Sequence, residues 1–310
     1  MNLVGNKKLV IGLICVIDSV WIGNAVYYYS NKLNEYIFLE NLQDVQVIYY
    51  PNDEKNMELG AYYEDGTEED VASKTRFYEF SLVYLTNIYD DEQVINVRFP
   101  EISDEVIWGN SESANNRFNN YTLRQIDVDF NNISMDEKIR LIDKIKNEDI
   151  VATKMIYETN KGKSYEVELG KIHFSYKDMG VDQDTESKMA YGDQQDLTIL
   201  SIDSYFSDEV NELIEFYNTK NGIEECGIYV PYKTHDKYLH SILSREKSPG
   251  KLNGISINTP VVFTGKYING DKFKRTIYLD YNSNSFIGIE RDKVKVIKEK
   301  GNKSYEYGAK

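Results

Sequence analysis

Few side chains of this chain could perform nucleophilic or metal chemistry. The 310 residues include three histidines and two cysteines, too few cysteines for a disulfide framework or a multi-cysteine metal cluster. A thiol nucleophile needs a base within reach, so Cys226 and His173 are the pair that such chemistry would use. Cys226, His235 and His240 could also be proposed as zinc ligands, but histidines five residues apart do not share a helical face. We therefore predict no metal site and a solvated His240.

The order of these residues resembles that of one enzyme family. An N-terminal apolar segment followed by His173, Cys226 and Arg245 is similar to the arrangement in sortase-like transpeptidases, which implies a cysteine enzyme built on an all-β barrel. Gly222-Ile223-Glu224-Glu225 stands before the cysteine where that family has Thr-Leu-x-Thr, and two adjacent carboxylates oppose thiolate formation. Helical patterns elsewhere in the chain also depart from an all-β barrel. A structural free cysteine is the favoured interpretation, and the enzyme is the alternative.

Two groups of carboxylates invite a functional interpretation. Asp127 and Asp129 share the outward face of an alternating strand, and paired carboxylates can perform acid–base chemistry on sugars. Because no third polar group can be assigned to the same cleft, exposed strand residues are the favoured interpretation. Residues 182–193 begin as Asp-x-Asp-x-Glu, as a calcium loop does, but Ser187 stands where the loop needs glycine. We interpret this segment as a flexible acidic connection.

Charge and glycine spacing exclude further classes. The 51 acidic and 36 basic residues give a formal net charge of −15, whereas nucleic-acid binding depends on clustered Lys and Arg. The sequence contains neither G-x-x-x-x-G-K-[ST] nor G-x-G-x-x-G, the glycine patterns that bind phosphate groups. We therefore expect no nucleic-acid partner, no nucleotide and no cofactor.

Tyrosine is abundant, with 26 residues, and it clusters at Tyr49-Tyr50 and Tyr62-Tyr63. Tyrosine is enriched in binding surfaces because it offers a large contact area at low entropic cost. It is also a good sheet former. Sheet packing is the favoured interpretation and a binding surface is the alternative.

The first thirty residues carry the clearest signal. Lys7 and Lys8 precede an apolar stretch, 9–29, whose length matches the ~20 residues that a helix needs to cross a bilayer. The lysines favour a cytoplasmic N-terminus, and Trp21 suits the outer interface. The predicted membrane-contacting residues are Leu9, Val10, Ile11, Leu13, Ile14, Val16, Ile17, Val20, Trp21 and Ile22.

A cleaved signal peptide is the alternative. The most apolar part, 9–17, is short, Asp18 opens a more polar stretch, and Ala25 ends a Gly-Asn-Ala triplet of the kind that signal peptidase accepts. In an uncleaved span, Asp18 costs ~2.5–3.5 kcal/mol and could mark a partner helix. A lipid anchor at Cys15 is not expected, because no small residue precedes it. Both interpretations export the rest of the chain.

The remainder is predicted to be an α+β protein with two strand-rich lobes, each covered by one or two helices. The predicted boundaries are an anchor or signal peptide at 1–30, a first lobe at 31–177, a polar linker at 178–196 and a second lobe at 197–310. The linker has neither strand nor helix periodicity. An internal duplication of the two lobes is a minor alternative.

Several elements are predicted individually. Ser134 and Glu137 form a capping box that begins a helix. Ser207 is predicted to begin another, with Val210, Leu213, Ile214 and Tyr217 on one face. Residues 234–245 read as a helix, 261–281 as a hairpin around Asn269-Gly270-Asp271, and 294–297 as a strand. The tail after Lys298 is expected to fray.

These patterns predict an exported, single-pass membrane-anchored binding or accessory protein of the bacterial cell envelope that is not an enzyme. The expected partners are the membrane and another envelope protein. The alternatives are a sortase-like envelope enzyme using Cys226 and His173, and an extracytoplasmic sensor coupled through a partner membrane protein. If signal peptidase cleaves after Ala25, the protein is secreted instead.

Overall fold

The structure is a computed structural model that describes residues 3–51, 68–179, 196–220, 223–235, 239, 242–281 and 291–307. It confirms the α+β class, with strands predominating and an apolar helix at the N-terminus. The helices are α1 Leu3–Asn31, α2 Glu68–Lys74, α3 Met135–Asn147, α4 Ser207–Leu213 and α5 Arg291–Lys300.

The strands fall into two groups along the chain. The first group is β1 Ile37–Phe38, β2 Glu40–Tyr49, β3 Thr75–Phe77, β4 Phe80–Asn87, β5 Val94–Phe99, β6 Ser103–Phe118, β7 Tyr121–Val128, β8 Ile150–Thr159 and β9 Ser164–Asp178. The second is β10 Asp196–Asp203, β11 Ile214–Lys220, β12 Ile223–Gly227, β13 Tyr232–His235, β14 Ile242–Glu246, β15 Ile255–Tyr267, β16 Lys272–Asp280, β17 Asn302–Lys303 and β18 Tyr305–Glu306.

Most described strands belong to one large sheet, in the order β13-β10-β15-β2-β9-β8-β5-β6-β7-β4-β1-β17. The long strand β6 lets this sheet fold back on itself, because its first part pairs with β5 and its second part, from Gly109, pairs with β7. A Cβ atom at Gly109 would lie 2.8 Å from Cγ2 of Ile126. The strand therefore passes too close to β7 at this point for a larger residue.

The two halves of the folded sheet pack face to face through aromatic rings. Phe38 of β1 lies 5.5 Å from Tyr157 of β8, and Phe80 of β4 meets Phe174 of β9 edge to face at 6.3 Å. Edge-to-face and tilted ring pairs at these distances are favourable. Helix α3 closes one side of this core with its buried residues Leu141, Ile142 and Ile145.

A second apolar core lies around β10 and β15. Phe216 of the three-stranded sheet β12-β11-β14 meets Phe263 of β15 edge to face at 5.3 Å. Helix α4 contributes Val210 to the same cluster. The small sheet is thereby packed on the part of the large sheet that the C-terminal half of the chain supplies.

Strand β2 joins the two groups of strands. It runs parallel to β9 on one edge and parallel to β15 on the other, so the sheet is continuous across the two predicted lobes. Close approach of β2 and β9 requires Gly170, which has φ 89° and whose Cβ would lie 2.6 Å from the Asn41 carbonyl oxygen. Near the end of the chain, β17 pairs with β1 and β18 with β9.

A buried amide network lies at this junction. The Asn41 side-chain nitrogen donates to the carbonyl oxygens of Leu39 and Leu169, at 2.9 and 3.0 Å. The Gln43 side-chain nitrogen donates to Asn41 Oδ1 at 2.7 Å and to the Ser81 carbonyl at 2.9 Å. Buried amides that are paired in this way specify one register, because a shifted strand would leave them unpaired.

Two predicted elements are confirmed. Ser134 Oγ accepts a hydrogen bond from the Glu137 backbone N–H at the start of α3, so the predicted helix start is confirmed. The second bond of the predicted capping box differs, because the Ser134 N–H donates to Glu105 while the Glu137 side chain accepts from Arg140. Strands β15 and β16 form the predicted hairpin, with Gly270 at φ 93° in the turn. In both cases a local turn or cap sets the structure, so the sequence signal is sufficient.

Other predicted elements are wrong because pairing between distant segments overrides local periodicity. Helix α4 ends at Leu213, and Ile214 begins β11 opposite Glu246 of β14. The predicted helix at 234–245 is wrong where it is described, since His235 ends β13 and 242–246 form β14. Conversely, the predicted strand at 294–297 lies inside α5, which buries Val294 and Ile297. The tail does not fray within the described residues: β17 and β18 are paired.

Candidate functional site

Helix α1 is the most distinctive feature of the exterior. Val10–Asn31 is long and apolar enough to cross a membrane, and none of it is buried against the rest of the protein. The predicted membrane-contacting side chains from Val10 to Ile22 are exposed, while those of Lys7, Lys8 and Leu9 lie outside the described side chains. A membrane anchor and a signal sequence both account for such a helix.

The C-terminal end of α1 is bonded to the folded domain. Tyr121 Oη donates to the Asn31 carbonyl oxygen at 2.5 Å, and Lys298 Nζ donates to Tyr121 Oη at 3.0 Å. The Leu33 N–H donates to Asn87 Oδ1 at 2.9 Å, and the Asn87 side-chain nitrogen returns a bond to the Leu33 carbonyl at 2.8 Å. We call these five residues the anchor junction; it fixes the direction in which the helix leaves the domain.

His173 is the centre of a cluster of titratable side chains. Its Nδ1 lies 3.0 Å from Asp44 Oδ1 and its Nε2 lies 3.0 Å from Asp149 Oδ1. The ring of Tyr205 stacks on the imidazole with centroids 3.5 Å apart, and its hydroxyl donates to Asp149 Oδ2 at 3.0 Å. Burial and this hydrogen bond raise the pKa of Tyr205 to about 12.

This arrangement determines what His173 can do. Strands β2 and β9 place Asp44 directly opposite His173, whereas Asp149 precedes β8 and Tyr205 precedes α4. Each ring nitrogen of His173 lies at hydrogen-bond distance from a carboxylate oxygen. General-base chemistry on a thiol would therefore require the ring to leave one carboxylate.

The other residues of the predicted enzyme lie in a different sheet. Arg245 is on β14 and Cys226 is on β12, with β11 between these two strands, whereas His173 is on β9 of the large sheet. Arg245 forms an ion pair with Glu215 at 2.9 Å and lies over the ring of Tyr217 at 4.9 Å. The Cys226 side chain lies outside the described side chains, so the enzyme interpretation stays a prediction.

The predicted carboxylate pair has structural hydrogen bonds. Asp127 Oδ1 accepts from Ser81 Oγ at 2.6 Å and from the Gln125 side-chain nitrogen at 2.7 Å. Asp129 accepts from the backbone and side-chain nitrogens of Asn131, at 2.8 and 2.7 Å, and so begins a short 3-10 helix. The acidic segment 182–193, Tyr62-Tyr63 and His240 lie outside the described residues.

Tyr50, from the other tyrosine pair, lies beside a cleft of about 290 Å³. The cleft borders β2 near the places where it pairs with β15 and with β3, and two exposed tyrosines, Tyr78 and Tyr278, line it. Tyr78 Oη lies 3.2 Å from Tyr50 Oη, and Tyr278 Oη donates to Gln46 Oε1 at 3.1 Å. We call this feature the tyrosine cleft. Its remaining lining residues are Gln43, Asp44, Val45, Glu79, Phe80 and Asn258.

The partners of His173, the anchor junction and the tyrosine cleft were not predicted from the sequence patterns. Each draws its residues from segments far apart in the chain: Asp44 and His173 are 129 residues apart, and Tyr121 and Lys298 are 177. No local spacing relates such residues, so a single sequence carries no signal for them. Comparison of the chain with protein-family models, curated proteins and solved structures finds no match.

Proposed function

We propose that the chain is a single-pass membrane-anchored binding or accessory protein of the bacterial cell envelope, with its α+β domain outside the cytoplasm. The observation that carries the proposal is an apolar helix, unburied over its membrane-spanning length, that is joined to the domain by the anchor junction. A fixed junction gives the domain a defined orientation at a membrane surface, which suits recognition of a neighbouring molecule.

Charge and composition support the extracytoplasmic placement. Lys7 and Lys8 precede the span, in agreement with the rule that positive flanking residues stay in the cytoplasm. The net charge of the whole chain is −15, and nearly all of its charged residues lie outside the helix, so the domain is kept soluble and away from anionic lipid surfaces. Among the described residues, no group of three or more His, Cys, Asp or Glu is arranged to hold a metal ion, so the proposal invokes no metal.

A partner span is part of the proposal. Asp18 is exposed on α1, and within the described chain it forms no hydrogen bond or ion pair. A carboxylate inside a bilayer needs a partner, because leaving it in hydrocarbon costs ~2.5–3.5 kcal/mol on insertion scales. A second envelope protein with a basic or polar residue in its own span would supply that partner. It would also allow this chain to act as an extracytoplasmic sensor that is coupled through that protein.

Fractionation of cells that express the full chain in a low-GC Gram-positive host tests the proposal, with intact mass measured on the product. We expect a membrane-bound chain beginning at Met1. A soluble product beginning at Val26 would replace anchoring by secretion. Full-length chain in the cytosol would contradict export altogether.

Two variants test whether membrane retention depends on the apolar span or on the hydrophobicity of the whole protein. Leu13→Arg with Ile17→Arg places two charges in the predicted span, where each costs ~2.5–3.5 kcal/mol, and should abolish membrane retention. Ile268→Arg changes a residue that is 80% exposed on the domain and should leave retention unchanged.

For the enzyme alternative, loss of function in Cys226→Ala would favour a cysteine nucleophile.

A further inference from the structure

We propose that the tyrosine cleft binds a small organic ammonium group. The inference rests on the proposed binding function and names the chemistry of its ligand. The first reason is a buried acceptor that lacks a donor: Gln43 is 1% exposed, it lines the cleft, and its Oε1 has no hydrogen-bond partner among the described residues. An orphaned buried acceptor is costly unless a ligand or water supplies a donor.

The orientation of the Gln43 amide is fixed by its neighbours. Leu39 and Leu169 carbonyls hold the Asn41 side-chain nitrogen, so Asn41 presents its oxygen to Gln43. Gln43 must then present its nitrogen to that oxygen and to the Ser81 carbonyl. A flipped amide would bring oxygen against two acceptors, so Oε1 is the atom left without a partner.

Two further polar side chains of the cleft are available to bind a ligand. Glu79 is exposed, Asn258 is half-buried, and neither side chain forms a hydrogen bond or ion pair among the described residues. The lining contains carboxylates and amides but no Lys, Arg or His. The carboxylate of Asp44 is already paired with His173, which leaves Glu79 as the free negative charge. A ligand that donates hydrogen bonds and carries positive charge complements this set.

The tyrosines favour an organic cation over a hydrated metal ion. Aromatic rings attract ammonium groups, and this attraction is the basis of recognition of quaternary and alkyl ammonium ligands. Hydrogen bonds to Tyr50 and Gln46 hold the hydroxyls of Tyr78 and Tyr278 in place, so the rings are oriented before a ligand arrives. Divalent metal ions instead need about six oxygen ligands.

Size limits the ligand. A volume of about 290 Å³ lies just below the ~300–1,000 Å³ of pockets that bind drug-sized molecules. It suits one alkylammonium group, whether it belongs to a free amine or to a lysine side chain of another protein. The large negative charge of the chain attracts such cations over a distance.

The test is calorimetric titration of the purified full chain in detergent with n-butylammonium chloride, at constant ionic strength. We expect saturable binding, and none with n-butanol, which has the same length but no charge. The affinities of cadaverine and Nα-acetyl-lysine methylamide are then compared. Tighter binding of cadaverine would indicate a free amine as the ligand, and tighter binding of the lysine derivative would indicate a lysine side chain of another protein. Absence of binding by all three ammonium compounds, or equal binding of n-butanol, overturns the proposal.

Matched variants locate the site. Glu79→Gln should weaken n-butylammonium binding about threefold to fivefold, the effect expected for a partly exposed ion pair. Glu306→Gln removes the same charge from an exposed residue of β18 and should change binding less than twofold. Tyr278→Leu should also weaken binding, whereas Tyr305→Leu, at a residue that is 66% exposed, should not.

Each result has a separate meaning. Equal effects of Glu79→Gln and Glu306→Gln would show that ammonium ions bind through general charge and would overturn the assignment to the cleft. Because Glu79 is exposed, its variant is expected to fold even if Tyr278→Leu does not. Membrane retention is measured independently, so failure of ammonium binding leaves the anchoring proposal intact.

Discussion

Two carboxylates that bond the same imidazole differ in exposure. The Asp44 side chain is 6% exposed and that of Asp149 is 69% exposed, yet each lies 3.0 Å from a nitrogen of His173. Surface ion pairs contribute little, whereas a buried charge that loses its partner is strongly destabilising. Equal distances therefore do not imply equal contributions to stability.

The prediction at this scale compares two variants. His173→Phe keeps a ring to stack on Tyr205 but removes both ring nitrogens, so the buried Asp44 carboxylate is left unpaired, and we expect a loss of about 3 kcal/mol in the free energy of unfolding. Asp149→Asn should cost under about 1 kcal/mol. Chemical denaturation of the full chain in detergent measures both, and equal losses would contradict this account.

A double variant tests whether the unpaired charge of Asp44 causes the loss of stability in His173→Phe. Asp44→Leu in the His173→Phe background removes the unpaired charge and should recover most of the lost stability, as replacement of buried ion pairs by apolar residues often does. No recovery would indicate that lost packing, and not the charge, explains the single variant.

At the scale of elements, the anchor junction ties a helix that makes no core contacts over its span to the ends of β4, β7 and α5. Asn87 is 3% exposed and both polar atoms of its side chain bond Leu33. Hydrogen bonds of this kind, from a side chain to the backbone, satisfy backbone groups that have no partner within the helix and hold the residues that follow it in one conformation. The direction of α1 relative to the domain thus depends on one buried amide and on the Tyr121–Lys298 pair.

The corresponding prediction concerns Asn87→Ala. Loss of both bonds leaves the backbone groups of Leu33 unpaired in a part-buried place, so we expect about 2 kcal/mol of destabilisation. Asn211→Ala, at an exposed residue of α4, should stay within about 0.5 kcal/mol. Thermal and chemical unfolding measure the stability of both variants. If Asn87→Ala is as stable as the control, the bonds between Asn87 and Leu33 do not contribute to the stability of the domain.

Which elements could be predicted follows from the range of the interactions that form them. The N-cap at Ser134 and the turn at Gly270 act within a few residues, so their sequence patterns identified α3 and the β15–β16 hairpin. The stripe from Val210 to Tyr217 has helical spacing, but Ile214 pairs with Glu246 of β14. Local periodicity cannot report a partner strand more than thirty residues away.

At the scale of the whole molecule, the large sheet is shared by the two predicted lobes. Strand β2 from the first region lies between β9 and β15, and α5, β17 and β18 return from the C-terminal region to the first. The composition of the predicted linker at 178–196 gives no indication of this, because register between distant strands is set by burial and not by local sequence.

A cleavage experiment tests how strongly the two regions hold together. A specific protease site introduced between residues 186 and 187 would divide the chain between the predicted lobes. We expect the two products to elute together in size-exclusion chromatography without denaturant, because the β2–β15 pairing and both cores remain. Added denaturant serves as the control that separates them. Products that separate without denaturant would instead support two independent lobes.

The position of β2 has a consequence for the order in which the protein can mature. Gln43 and Ser256 meet across β2 and β15 although 213 residues separate them, and contacts of such long range slow folding. A chain exported from its N-terminus onwards presents β2 early, with Leu42 uncovered, and cannot cover it until residues near 257 arrive. Completion then waits for β18, almost the last described segment. Throughout this interval the apolar face of β2 would stay uncovered.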